Sequence, residues 1–265
     1  MPSAPALFLF GLTTLGARAD LPAPVLATAA AQDDAGDKRP EVAELIAKLD
    51  AHASKRGAED NEAVAVVDQL LAQFETSGPK DKAAIVKGLS KCFEEPRKVA
   101  EGEPPNNKLF LAAATALGRM GPESTKTLMQ WIGHKDHRKD TTLQHKLLLS
   151  LGKTKDKAAL KPLMMNLDNK TPALISAAAE GLAEFADAEE EVRKEAFEAL
   201  LKTLMSAKGQ MDLQTEDTIA RERYDTIAAP IITSLGRLAR HDERDPAEWQ
   251  RWWNKNKKTA WDGAK

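Results

Sequence analysis

The stretch Ala114-Thr-Ala-Leu-Gly-Arg-Met-Gly-Pro-Glu123 decides the fold, because its helical pattern returns four more times along the chain. In each copy an apolar residue lies four positions before a leucine, and a small residue follows that leucine directly. The copies are centred on Leu89, Leu117, Leu151, Leu182 and Leu235. The first four leucines lie 28, 34 and 31 residues apart, a spacing typical of proteins built from stacked helix pairs.

The small residues that follow these leucines need a physical reason. They are Ser90, Gly118, Gly152, Ala183 and Gly236. A glycine inside a helix costs about 1 kcal/mol relative to alanine. Its recurrence predicts that a neighbouring helix approaches the backbone closely at this position. In the first copy, the residue three positions after the leucine is Cys92, which the apolar stripe places in the core.

Further helices are predicted before and between these copies. Apolar residues at helical spacing indicate one helix over residues 40–55 and another that starts at Asp60. The second helices of the repeats are expected at residues 123–132, 156–167 and 188–206. The interval of 53 residues between Leu182 and Leu235 predicts one repeat and an insertion around residues 205–224.

The segments 114–123 and 182–201, the latter with Val192-Arg193-x-x-Ala196, resemble short HEAT repeats, including the variety named for phycobilisome lyases. The resemblance covers residues 80–240. It implies an all-α fold, an α-solenoid of stacked HEAT-like helix pairs. Residues 94–108 depart from the pattern, because they are too short and proline-rich for a full second helix. Tetratricopeptide repeats are the nearest rival, but they rely on a recurrent tyrosine and this chain has only Tyr224.

The resemblance also implies a function, because HEAT-like solenoids bind other proteins on an extended surface. In that family the second helix of each pair lines the concave side. The residues that this nominates for protein binding are Lys126, Gln130, Lys161, Met165 and Asn166.

The predicted domain organisation has four parts. Residues 1–31 are a signal peptide or a flexible extension, and 32–39 are an acidic linker. Residues 40–240 form the repeat domain, and 241–265 form a tryptophan-rich helix with a basic tail.

The signal-peptide prediction rests on the ten-residue apolar run at 6–15 and on small residues at 17–19 or 29–31, where a peptidase could cut. A signal peptide normally has a Lys or Arg before its apolar run, and this run has none before it. The predicted location is the periplasm or outside the cell.

The charge of the chain limits its possible partners, and its single cysteine excludes an internal disulfide. The chain of 265 residues has 38 Lys and Arg against 40 Asp and Glu, so its overall charge gives no strong field to attract nucleic acid. The predicted partner is therefore another protein, with membrane contact only through the tail, and the chain itself is expected to be a monomer. With Cys92 alone, an intramolecular disulfide is impossible.

No catalytic or metal-binding motif emerges. His134, Asp136, His137 and His145 could together hold a metal, but the neighbouring Lys and Arg side chains disfavour a cation. Neither a His-Glu pair of the di-iron HEAT enzymes nor a Gly-rich phosphate loop is present. We therefore expect a non-enzymatic scaffold without a cofactor. Two alternatives stay open: an accessory or unrecognised catalytic subunit of an exported enzyme system, and an envelope protein whose tail contacts lipid.

The C-terminal region carries a separate signal. Asp245-Pro246-Ala247-Glu248 combines an N-cap, a first-turn proline and a capping-box glutamate, so a helix should begin there. On that helix Trp249, Trp252 and Trp253 share one face. They form either a cap, buried against the last long helix at Leu235 and Leu238, or a docking stripe. Trp261 is expected to be exposed.

Overall fold

A computed structural model of the chain describes residues 37–95, 97, 106–213 and 216–262. Within these residues the chain forms eleven α-helices and three short 3₁₀ turns, and contains no strand. The predicted all-α class is therefore confirmed. The predicted signal peptide lies outside the described residues.

The helices have the following bounds: α1 Pro40–Ala53, α2 Asp60–Phe74, α3 Pro79–Lys91, α4 Lys108–Arg119, α5 Thr125–Trp131, α6 Thr141–Lys153, α7 Leu160–Asn166, α8 Pro172–Ala183, α9 Glu190–Leu213, α10 Thr218–Ala239 and α11 Pro246–Asn256.

The helices pack in two layers. Each even-numbered helix from α2 to α10 contacts the next even-numbered one, and these five form the first layer. The odd-numbered helices from α1 to α11 form the second layer. The helices α3, α5 and α7 each contact the first-layer helices that precede and follow them, α1 contacts α2, α9 contacts α10, and α11 packs on α9. This arrangement confirms the predicted α-solenoid of HEAT-like helix pairs. One apolar core runs along the whole stack between the two layers.

Glycines in the first layer let neighbouring helices touch backbone to backbone. A Cβ atom added to Gly152 of α6 would lie 2.4 Å from Cα of Gly181 in α8. One added to Gly118 of α4 would lie 2.8 Å from Cα of Ser150 in α6. The predicted close approach is thus present at Gly118 and Gly152. Gly236 is small for a different reason. A Cβ atom added there would lie 3.1 Å from the carbonyl oxygen of His241, in the segment that follows its own helix.

Two predictions about the repeat alignment are wrong. The copy centred on Leu89 lies in α3 of the second layer, and α2 occupies the corresponding place in the first layer. The expected insertion at residues 205–224 is instead part of a hairpin of two long helices, α9 and α10. Both errors arise because an amphipathic helix shows the same apolar spacing in either layer and at any length.

The first described residues are bonded to the stack. The Asp37 carboxylate accepts hydrogen bonds from the backbone N–H groups of Lys80 and Asp81 at the start of α3. In return, the Asp81 carboxylate accepts from the N–H groups of Lys38 and Arg39. The end of the predicted acidic linker, residues 37–39, is therefore fixed on α3.

Replacing Gly152 by alanine should lower the free energy of unfolding by about 1–3 kcal/mol, because the new methyl group would overlap the backbone of α8. Urea unfolding measures the change. Gly209→Ala is the matched control, since nothing lies within 4 Å of the added Cβ at this position in α9. That control should be neutral or stabilising. Equal unfolding midpoints for the two variants would contradict the close-approach explanation.

Candidate binding surfaces

The nominated second-layer residues form a repeated surface. Lys126 and Lys161 occupy the second position of α5 and α7, and Gln130 and Met165 the sixth. All four side chains are exposed, Met165 to 67 %. Two successive repeats therefore present a long side chain at equivalent positions on the same side of the stack.

Asn166, the fifth nominated residue, is half-buried and takes part in local hydrogen bonds. Its Nδ2 donates to the carbonyl oxygen of Pro162 at 2.9 Å, and its Oδ1 accepts from Nδ2 of Asn169 at 3.3 Å. These bonds close the turn between α7 and α8. Both Nδ2 and Oδ1 of Asn166 therefore already form hydrogen bonds within the fold.

A groove that the sequence did not suggest crosses three first-layer helices, α6, α8 and α10. Its apolar lining includes Leu149, Ala183 and Ala229, and its charged lining includes Lys153, Glu180, Glu184 and Arg237. The carboxylate of Glu184 lies 3.7 Å from Nη1 of Arg237 across the groove. The sequence could have indicated this groove through the exposed residues next to the repeated leucines, such as Lys153 beside Leu151 and Glu180 beside Leu182. The family resemblance implies binding on the second helices instead.

The tryptophans of α11 pack on α9. Trp249 is fully buried and Trp253 nearly so, with ring centroids 5.6 Å and 5.1 Å from that of Phe197. Trp252 is half-buried and its centroid lies 5.3 Å from the same ring. The burial of at least two rings agrees with a cap. The main contact of α11 is with α9, and its tryptophans share one apolar core with Leu235 and Leu238 of α10.

The prediction that Trp261 is exposed is wrong. Its ring is half-buried, 5.4 Å from Phe197, and its backbone N–H donates to Oε2 of Glu190 at 2.9 Å. A hydrogen bond from the Lys194 side chain, together with this one, lowers the pKa of the Glu190 carboxyl. The chain turns back after α11 because the carboxylate of Asp262 pairs at 2.7 Å with the fully buried guanidinium of Arg193.

The histidines near the α5–α6 turn serve packing. His137 is buried, and its Nε2 lies 2.7 Å from the carbonyl oxygen of Phe93, so this nitrogen donates a hydrogen bond. His134 packs on Trp131, with Nδ1 3.6 Å from the carboxylate of Asp136. Across the part of the chain that the structure describes, no three His, Cys, Asp or Glu residues are placed to hold a metal.

Cys92 lies in the core, as its place on the apolar stripe predicts. Burial raises the pKa of its thiol to about 12, so the group stays protonated near neutral pH. A protonated, buried thiol is a poor nucleophile.

None of the described helices combines the length and the apolar character needed to cross a membrane.

Comparison with known proteins gives one match. A family model described as HEAT repeats matches residues 97–183, which include α4 to α8. Neither the curated proteins nor the solved structures that were compared with the chain contain a match.

Trp249→Ala should lower the free energy of unfolding by about 3–5 kcal/mol, because it leaves a cavity beside Phe197. Thermal and urea unfolding both report this loss. Lys255→Ala, on the exposed face of the same helix, serves as the control and should change stability by less than about 0.5 kcal/mol. If both variants unfold at the same midpoint, the helix does not cap the stack.

Proposed function

Because residues 97–183 match a model of HEAT repeats, we propose that the chain is a non-catalytic, exported scaffold that binds another protein. HEAT repeats are generally protein-interaction scaffolds. A stack of helix pairs presents an extended surface to which several repeats contribute, and such a surface suits a large partner better than a small molecule.

The observation that carries the proposal is the repeated surface on α5 and α7. Lys126 and Lys161 form no ion pair with any residue that the structure describes, and their side chains are free to meet a partner. Gln130 and Met165 lie one turn further along the same helices. We define these four residues as the second-layer surface.

Export is proposed from the apolar run at residues 6–15 and the small residues that follow it. The same surface would also serve an accessory subunit of an exported enzyme system. A lipid-contacting tail has weaker support, because Trp249 and Trp253 are in the core and only the basic side chains of the tail could reach lipid headgroups.

A photo-crosslinking residue placed at Gln130 or Met165, in protein made in its native host, should give an adduct of defined mass with one partner protein. The adduct should form on protein that has lost its first 19 or 31 residues and should be found in the periplasmic or secreted fraction.

The matched control is the same crosslinker at Lys48, an exposed position on α1 of the same layer. It should give no such adduct. Identical adducts from all three positions, or none from positions 130 and 165, would refute the scaffold function. Adducts found only on unprocessed cytoplasmic protein would refute export.

A further inference from the structure

The near-zero charge of the whole chain hides an uneven distribution. Residues 106–167 contain eleven Lys and Arg against four Asp and Glu, a net charge of +7. The described residues before them, 37–95, carry nine against twelve, and residues 168–262 carry fourteen against nineteen. The central repeats therefore form a basic band between two acidic ends. The net charge of the whole chain is still close to zero, but the local charge of this band is not.

The acidic residues of the band are used within the fold. Asp140 accepts a hydrogen bond from the N–H of Leu143 and caps α6, and Asp156 likewise accepts from Ala158. Glu123 lies 3.8 Å from the ammonium group of Lys82 in the preceding repeat. Asp136, the fourth, lies 3.6 Å from Nδ1 of His134. Among the described residues, none of these four carboxylates forms an ion pair with a Lys or Arg of the band.

The cations of the band, by contrast, are mostly free. Ten of the eleven are exposed, and Lys146 is half-buried. Of these eleven cations, only Lys155 has an ion-pair partner among the described residues, Asp187 at 3.8 Å.

Arg119 lines a pocket together with Asp68 and Glu75, and Lys153 lines the first-layer groove with Glu180 and Glu184, so neighbouring carboxylates offset part of their charge. The charge most available to an external partner is that of Lys126, Lys157 and Lys161.

Six of these cations lie along one edge of the stack. Gly118, near the end of α4, lies against Ser150, near the end of α6, so Arg119 and Lys153 end these two helices at the same edge. The first turns of α5 and α7 start there and carry Lys126 and Lys161. We define the basic edge as Arg119, Lys126, Lys153, Lys155, Lys157 and Lys161. Adjacent helices are about 8–10 Å apart, within one Debye length at about 0.1 M salt, so the potentials of these side chains add.

Exposed apolar side chains accompany the basic edge. Met129 and Met165 are 38 % and 67 % exposed, and they belong to α5 and α7, the helices that carry Lys126 and Lys161. Flexible methionines suit surfaces that bind polypeptides. Phe110 and Trp131, in contrast, are buried, so the described part of the band offers neither ring for stacking on nucleic-acid bases.

We propose that the basic edge, with Met129 and Met165, binds an acidic segment of a partner protein that also carries apolar side chains. This inference rests on the proposed scaffold function and specifies the chemistry of its partner. The lysines and Arg119 would attract the carboxylates, and the two methionines would contact the apolar side chains.

Two fluorescent synthetic peptides of equal length test the proposal. Both carry leucine at the same helical positions, and the remaining positions are glutamate in one peptide and glutamine in the other. Fluorescence anisotropy at low salt should show the glutamate peptide binding at least about tenfold more tightly, with an affinity that falls as salt is raised. Equal binding of the two peptides would overturn the proposal.

The double variant Lys126→Glu, Lys161→Glu should weaken binding of the glutamate peptide by about tenfold or more. Its control is Lys48→Glu, Lys87→Glu, which makes the same charge change at exposed second-layer positions outside the band. An equal loss in the control would show a non-specific charge effect and would overturn the proposal. So would tighter binding, at the same basic edge, of a DNA oligonucleotide or of vesicles containing phosphatidylglycerol.

The two proposals fail separately. If the crosslinks from Gln130 and Met165 capture a partner but the glutamate peptide does not bind, the acidic-segment inference is wrong and the scaffold function stands. If no partner is captured, the scaffold function itself is wrong.

Discussion

The backbone contact between α6 and α8 sets the spacing of the central repeats. Because Gly152 and Gly181 have no side chains, the two helices approach until a single added carbon would lie 2.4 Å from the opposite backbone. The second-layer helices α5 and α7 are seven residues long, far shorter than the roughly 12–15 residues that an isolated helix needs in water. They are held by buried residues such as Leu128 and Leu163 against the first layer. Any surface that α5 and α7 present therefore depends on that glycine contact.

The C-terminal end of the stack is closed by aromatic packing and by an ion pair of the buried Arg193 guanidinium. The ring of Phe197 contacts the three tryptophans of α11 and Trp261. Arg193 pairs with Asp262, which lies 69 residues further along the chain. A buried arginine that loses its carboxylate is strongly destabilising, typically by about 3–5 kcal/mol. Trp261 therefore packs against the core of the final helix pair, and the exposed carboxylate of Asp262 pairs with Arg193 there, at the opposite end of the stack from the contacts of Asp37 with α3.

The sequence predicted what depends on local periodicity and missed what depends on distant pairs. The repeated leucines and glycines identified α4, α6 and α8 correctly, because apolar spacing and backbone contact are properties of one helix and its neighbour. The layer of Leu89 could not be assigned, since α3 has the same amphipathic pattern as a first-layer helix. The burial of Trp261 follows from the pairing of Arg193 with Asp262, which no local pattern reveals. The basic band was not predicted, because the acidic residues on either side of it bring the net charge of the whole chain close to zero.

The glycine-lined first layer is the rigid spine that orders the second-layer surface. Hydrogen exchange of backbone amides, followed by mass spectrometry, tests this directly. Peptides from α6 and α8 should exchange most slowly, and α5 and α7 should exchange together with them as one cooperative unit. Rapid exchange of α6 and α8 while α5 and α7 stay protected, or separate exchange of the two layers, would contradict the claim.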